Sequence, residues 1–364
     1  MKSASVATNT DVVIVGGGPA GTAAALALAG YGVSVLVIER SGYGKVRVGE
    51  TFPPAIKEVL AQLDLWAEFV AANHVQSVGI RSVWGGPEPY DRSFIFDAHG
   101  TGWHVDRRDF DAFLARSAER RGVKLERESQ LLKCERNGTG GWKVLVGSRN
   151  RSLSVNASLV VDATGRACAL ARRLDSRRIA YDQLVGVYAF LEGLSDEQPF
   201  TLVEAVEDGW WYSAPLPGGR QVVAFMTDSD LFNAAALRDW SQWKTRLGHA
   251  SQTKARVAQL KLDGTLKVLS ANSSRLNQAG GPGWLAIGDA ASAFDPLSGD
   301  GVMRALKSGL RATEIIRSCL LDQNAIPEYG TMIDREFRRY LQQRNAYYSR
   351  DNWWASSPLW SRRH

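Results

Sequence analysis

The residues with the clearest chemical capacity open the chain. Gly16-Gly17-Gly18-Pro19-Ala20-Gly21 follows an apolar run and precedes an alanine-rich one, a G-x-G-x-x-G placed between a strand and a helix. Gly16 allows a tight turn, Gly18 lets backbone approach a pyrophosphate, and Gly21 lets the helix pack closely on the strand. Pro19 and Ala20 start that helix, whose first N–H groups and positive dipole end attract phosphate. Glu39 closes the second strand at the distance where a carboxylate accepts ribose hydroxyls, and Arg40 follows it as part of the same cofactor-binding edge. The chemistry is dinucleotide binding. His74, His99, His104, His249 and His364 are scattered, as are Cys134, Cys168 and Cys319, so neither a metal site nor a disulfide framework is expected.

The elements that must hold these residues are legible in the same stretch. From Val12 to Ile38 there is no charged residue, which by hydropathy resembles a membrane span. Its glycines and its changing periodicity read instead as strand Val12 to Val15, helix Ala20 to Ala29 and strand Val33 to Ile38. No basic leader with a cleavage site precedes it, so a cytoplasmic protein without membrane attachment is expected. The 364 residues suggest two or three domains. With 45% hydrophobic and 23% charged residues, the chain is neither disordered nor fibrous. A net charge of +6 is mild for this length.

Two further motifs extend the pattern. Asp162-Ala163-Thr164-Gly165 ends a predicted strand, and residues 284–309 run from a buried strand through Gly288-Asp289 and Asp295-Pro296 to Gly299, Gly301 and Val302 at a helix start. With G-x-G-x-x-G these resemble the three signatures of FAD-dependent monooxygenases, a group that includes flavin-dependent halogenases and geranylgeranyl reductases. The resemblance covers residues 11–325 and implies an α/β fold: a Rossmann-like FAD-binding domain of the glutathione-reductase and hydroxybenzoate-hydroxylase type, an interleaved mixed-sheet substrate domain and C-terminal helices. The expected division is 1–82, 99–172 and 275–325 for the FAD domain, 83–98 and 173–274 for the substrate domain, and 326–364 for the C-terminal segment. It implies FAD as cofactor. Asp289 would hold a ribityl or ribose hydroxyl, and Gly299 and Gly301 would aim helix N–H groups at the flavin. Asp295 and Pro296 would lie at its reactive edge. Arg107 matches an arginine near the FAD diphosphate, with Arg108 as its competitor and a solvated helix-start charge as the plain alternative. Asp162 would either serve the cofactor or bond its own turn.

The resemblance also supplies candidates for catalysis. Gly49-Glu50-Thr51-Phe52-Pro53-Pro54 is similar to the G-E-x-x-P loop near the isoalloxazine, which makes Glu50 a candidate acid or base, or else a structural acid. Gly209 to Pro217 sits where halogenases carry W-x-W-x-I-P, and it places Trp211 and Tyr212 at the site. Here Tyr212 replaces the second tryptophan and Ala214 the isoleucine. Halogenases also use a lysine downstream of the glutamate, and there is none between Glu58 and Val123. His99 and His104 bracket a loop that is either site-facing or simply packed or exposed.

Only one dinucleotide fingerprint occurs, so reducing equivalents are expected from transiently bound NAD(P)H or a separate flavin reductase, with molecular oxygen as oxidant. The loop at Glu50, Trp103 to Asp111 and Gly209 to Pro217 together resemble flavoproteins that mature quinone-cofactor amino-acid oxidases, such as lysine ε-oxidase and glycine oxidase. That resemblance implies a protein-bound tryptophan as substrate, during tryptophylquinone biogenesis, and a precursor oxidase as partner. Alternatives are a hydroxylase of a small free aromatic compound, a halogenase, an isoprenoid-type reductase lacking its cysteine loop, and a non-catalytic flavoprotein chaperone. The chain has 12 tryptophans, and its C-terminus interleaves Arg338, Arg339 and Arg344 with Tyr347, Tyr348, Trp353, Trp354 and Trp360. Such a segment can bind single-stranded nucleic acid. Beside an FAD domain, packing on the back of the substrate domain or docking a protein is expected, and no nucleic acid.

Overall fold

The computed structural model describes residues 8–138, 140–149, 151–193, 199–321 and 326–364. Residues 1–7 and the expected domain break after 325 lie outside them. Two eight-stranded sheets carry the molecule. The first is built on buried parallel strands whose side chains are apolar on both faces, as the uninterrupted valine and isoleucine runs require. Thr8–Val15 lies between Ser152–Asp162 and Val35–Ile38, and Lys124–Glu126 and Trp284–Ala286 extend the parallel order on either side. Trp142–Gly147 joins antiparallel to Ser152–Asp162.

Helix Pro19–Gly30 follows the first strand, and helix Gly301–Leu321 packs along it. Their approach is very close. A Cβ on Gly309 would lie 2.3 Å from Ala20 O and 2.9 Å from Ala24 N, and one on Gly288 would lie 2.7 Å from Ala20 Cβ. The first and last motifs are therefore held against each other through Ala20.

The second sheet runs in the order Lys261–Leu262, Leu184–Glu192, Arg220–Asp228, Gly209–Leu216, Phe200–Val206, Gly79–Val83 and Tyr90–Ser93, with Lys267–Ser270 as the eighth strand, also paired to Leu184–Glu192. All its pairings are antiparallel except Phe200–Val206 with Gly79–Val83. Gly79–Val83 belongs wholly to this sheet, so the first crossing between domains falls before residue 79 and not at 82. Side chains alternate between its faces with period two. One face carries Val187, Phe225 and Trp211 under helix Trp240–Leu247. The other carries Tyr188, Trp210, Ala214, Ala224 and Met226.

The C-terminal segment covers this second face, whereas packing on the back of the domain was the expectation. Helix Ile326–Tyr348 ends with Tyr348 beside Trp84, Trp210 and Trp360. Trp360 Nε1 donates to Val206 O, and the fully buried Arg363 pairs with Asp228. The reason is that Trp360 and Tyr348 complete an apolar cluster the sheet face alone leaves open. Among the described residues no helix is long and apolar enough to cross a membrane, and no group of His, Cys, Asp or Glu could hold a metal.

Gly309→Ala should cost roughly 1–3 kcal/mol, because the added methyl meets helix backbone that cannot turn aside. The denaturation midpoint of the full chain measures this, and an unchanged midpoint would mean the two helices separate freely.

Candidate functional site: an FAD cleft

The glycine turn shows two kinds of constraint. A Cβ on Gly16, at φ +111°, would sit 2.2 Å from Ala163 O, and one on Gly21 would sit 2.0 Å from Gly16 O. These two positions are fixed by the chain's own backbone. Gly18 is different: only Arg47 Nη1, at 3.8 Å, comes near a Cβ there. It is also the N-cap of Pro19–Gly30 and supplies no side-chain cap, so the helix N-terminus faces open space. Open space also borders Gly165, Gly299 and Gly301. A backbone cradle with unpaired N–H groups at one end fits a dinucleotide diphosphate.

Glu39 is buried at the edge of this cradle, where its Oε2 accepts from Gly17 N at 2.8 Å. Its Oε1 accepts from Ser41 N, Ser41 Oγ and Arg47 Nη2. Tyr43 Oη donates to Gly17 O at 2.9 Å. The carboxylate thus ties the second strand to the glycine turn. Arg40 is exposed. Arg47, absent from the sequence expectations, spans Glu39 and Asp111 and leans over Gly18. No spacing rule marks it, although it lies only two residues before Gly49.

Asp162 takes the second of its two expected roles, bonding its own turn. Its four short bonds, to Thr164 N, Thr164 Oγ1, Leu170 N and Ala171 N, consume both oxygens inside its own turn, and it is fully buried. It shapes the loop that ends in Gly165 and has no oxygen turned to a ligand. Asp289 keeps its carboxylate half-exposed, at 44%, while its backbone carbonyl is anchored by Arg178 at 2.6 Å. That carboxylate lies 3.8 Å from Arg166 Nε and keeps room to accept a hydroxyl at the cradle's edge.

Arg107, and not Arg108, faces the loop at Glu50. It starts helix Arg107–Arg120, donates to Val48 O at 2.5 Å and pairs with Asp111 at 3.0 Å. Arg108 turns to Asp106. Gly49, at φ +100°, has space for no Cβ, which would meet Arg107 Nη1 at 2.7 Å and Val302 Cγ2 at 3.5 Å. Three segments distant in sequence thus converge on Glu50: the arginine helix, the Gly49 turn and the start of Gly301–Leu321.

Glu50 is 2% exposed. Its Oε2 accepts from Gly49 N at 2.9 Å, and Oε1 has no hydrogen-bond partner among the described residues. Burial pushes its carboxyl up from 4.5 to about 7, against the opposing pull of the Gly49 and Glu50 backbone donors and of Arg107. Its charge bears on Tyr188 and Tyr212, whose phenols are pushed further up by their own burial. The strand register sets these tyrosines in one row, since Ala224 lies opposite both Tyr188 and Tyr212. The small alanine between two rings leaves a shallow aromatic face towards Glu50. Val48, Leu297 and Tyr212 pack on that same cluster.

Trp211 is corrected by the same register. Adjacent residues on a strand point to opposite faces, so Tyr212 at the cleft puts Trp211 on the far side. There it lies 4.9 Å from Phe225 and from Trp243 and is fully buried. Pro296 follows Asp295, whose Oδ1 accepts from Leu297 N and whose Oδ2 accepts from Tyr348 Oη at 2.8 Å. Tyr340 Oη accepts from Asp295 N at 2.7 Å. Burial raises the Asp295 carboxyl. The C-terminal helix therefore braces the Asp295-Pro296 turn, a role the sequence does not reveal. His99 is a surface group bound to Glu58 and Asp97, while His104 is buried.

The fold and cleft define an FAD-dependent oxidoreductase. The FAD binding domain family matches residues 9–311, and this chain belongs to it. Among its relatives is LodB of Marinomonas mediterranea, named as an FAD-dependent oxidoreductase, with 31% identity over 97% of this chain and 96% of that protein. The brominase of a pyrrole-carbonyl peptidyl-carrier protein from Pseudoalteromonas luteoviolacea is 25% identical over 85% of this chain and 78% of its own. Among solved structures, the myxobacterial chondrochloren halogenase CndH superposes with a TM-score of 0.90 at 26% identity, covering 98% of this chain and 86% of that one. The peptidyl tryptophan dihydroxylase QhpG shares the fold, with a TM-score of 0.80 at 23% identity, covering 98% and 79%.

Two outcomes follow from this geometry. Ionising Glu50 costs the folded state, so its contribution to stability is present below the ordinary carboxyl range and lost as pH rises through about 7. Glu50→Gln has no proton to lose, and wild type should fall behind it by roughly 3 kcal/mol between about pH 4 and pH 8. Parallel stability curves for the two proteins would show that Oε1 is solvated or paired. Arg47→Ala should weaken FAD binding about ten- to a hundred-fold, the worth of a charge-assisted hydrogen bond. An unchanged dissociation constant in a fluorescence titration would leave Arg47 only a brace for Glu39 and Asp111.

Proposed function

We propose that this chain is an FAD-dependent monooxygenase that hydroxylates an electron-rich aromatic ring, and that the ring is a protein-bound tryptophan in tryptophylquinone biogenesis. The observation that carries the reaction class is Glu50: a buried carboxyl with an unpartnered oxygen, poised near neutrality, beside the face formed by Tyr188, Ala224 and Tyr212. When bound and reduced, FAD supplies the electrons and the activation of oxygen. The chain supplies the rest. Tyr188 and Tyr212 offer apolar ring surface with hydroxyls at its edge. The C-terminal segment covers the second sheet's open face and excludes water from the cleft's back. Glu50 Oε1 accepts the proton that the ring carbon releases as a C–O bond replaces its C–H bond. The remaining oxygen atom leaves as water, and NAD(P)H or a separate flavin reductase supplies the two electrons.

Support for a protein-bound tryptophan comes from the resemblance of the loop at Glu50 and of Gly209 to Pro217 to the maturases of quinone-cofactor oxidases. QhpG, described as a peptidyl tryptophan dihydroxylase essential for tryptophylquinone cofactor biogenesis, has the same fold. The precursor oxidase is the partner this reading requires. Halogenation is the second reading, favoured by the brominase and CndH likenesses. Against it stands the placement of Lys57, the first lysine after Glu50, which is exposed and lies over the Trp66 ring at 5.9 Å.

The test combines the FAD-loaded enzyme, an electron donor, labelled oxygen, bromide and the precursor polypeptide of a quinone-cofactor amino-acid oxidase. Mass spectrometry should find labelled oxygen on a tryptophan of the polypeptide. Bromine on the product would establish the halogenase, and label on free indole but not on the polypeptide would establish a small-molecule hydroxylase.

A further inference from the structure

A line of buried hydroxyls leads away from Tyr212. Tyr212 Oη lies 2.6 Å from Thr51 Oγ1, which lies 3.4 Å from Thr201 Oγ1, which in turn lies 3.0 Å from His104 Nε2. Thr51 and His104 face each other across the small sheet formed by Thr51–Phe52 and Gly102–His104, and Thr201 comes from the second sheet. The line thus stitches the loop at Glu50 to the strand next to Tyr212. His104 is fully buried, so the line ends inside the protein.

The direction of these hydrogen bonds follows from the histidine. Burial, reinforced by the Arg256 guanidinium, lowers its pKa to about 3, so the ring is neutral and carries one N–H. Nδ1 has no partner among the described residues. A proton there would bury an orphaned donor, whereas a proton on Nε2 leaves only a lone pair unmatched. Orphaned buried N–H groups are the rarer and costlier kind, and the network therefore assigns the proton to Nε2. Nε2–H then donates to Thr201, and the line runs in one sense when the Thr201 hydroxyl donates to Thr51 and the Thr51 hydroxyl to the Tyr212 oxygen, two contacts in which either oxygen can be the donor. The Tyr212 hydrogen is left to point elsewhere, on the face it shares with Tyr188.

We propose that His104, Thr201 and Thr51 are positioning residues that fix the Tyr212 hydroxyl as a hydrogen-bond donor into the cleft beside Glu50. What Tyr212 meets there rests on the function proposed above: the oxygen that leaves as water, which takes the electron pair and the negative charge as the O–O bond breaks. A donor held in place before the reaction stabilises that charge without reorganising. Glu50 as acceptor and Tyr212 as donor then serve the two ends of one ring substitution.

The FAD-loaded enzyme labelled with ¹⁵N-histidine tests the direction, with His104→Gln used to assign the signal. His104 should remain the neutral Nε2–H tautomer from about pH 5 to pH 9. An Nδ1–H tautomer, or titration within that range, reverses the line and overturns the proposal. Thr201→Val interrupts the line and Thr201→Ser preserves it. Product formed per oxygen consumed should fall about ten-fold with valine and return with serine, at unchanged FAD content. Equal coupling in all three proteins would overturn the positioning role. If Thr201→Val does not fold, Thr51→Val and Thr51→Ser make the same comparison. If wild type yields no hydroxylated ring, the function is at fault, and the tautomer measurement still decides the direction of the line.

Discussion

The contact at Ala20 governs the architecture. Gly288 and Gly309 come from the last third of the chain, yet both press on the first turn of Pro19–Gly30, with no space for a side chain at either. Such packing lets one helix start present backbone N–H groups while the loop after Trp284–Ala286 presents Asp289 a few residues away. It also sets where Gly301–Leu321 begins, and hence where Val302 meets Gly49. The Asp162 turn, closed by its four internal bonds, fills the third side through the contact of Ala163 with Gly16. Displacing the helix pair would move the diphosphate cradle and the loop at Glu50 together.

Four buried carboxylates show how the same group is put to different uses. Asp162 and Glu39 are saturated by local donors and act as braces. Asp295 is shared between a turn amide and Tyr348, so the C-terminal helix reports directly on the Asp295-Pro296 turn. Glu50 alone among these four keeps an oxygen without a partner. An unmatched buried polar atom is costly in a folded protein. Its persistence beside an aromatic face marks the place where the chain carries chemistry in preference to stability.

Tryptophan usage has a structural explanation spread over two faces. Trp211, Trp240 and Trp243 stack beneath the second sheet, and Trp84, Trp210 and Trp360 close its cleft side. These six rings build core on both sides of one sheet. Their indole N–H groups also bind backbone across long sequence gaps, as Trp360 does with Val206 and Trp84 with Tyr347.

The sequence by itself determined the strand, turn, helix and strand at the N-terminus and the FAD family, because buried parallel strands and glycine turns leave local marks in residue type and spacing. It also singled out Glu50, Tyr212 and Asp289. Which side of a strand faces the cleft was decided only by pairing: Trp211 and Tyr212 are neighbours, and a period of two forces them apart. The choice of Arg107 over Arg108 depended on Asp106 drawing Arg108 away while Asp111 holds Arg107. Thr201, Tyr340 and Tyr348 carry no motif, since their partners Thr51, His104, Ser273 and Asp295 lie tens to hundreds of residues away. Such residues acquire a role only when tertiary contacts fix the distance between segments, which spacing along the chain does not encode.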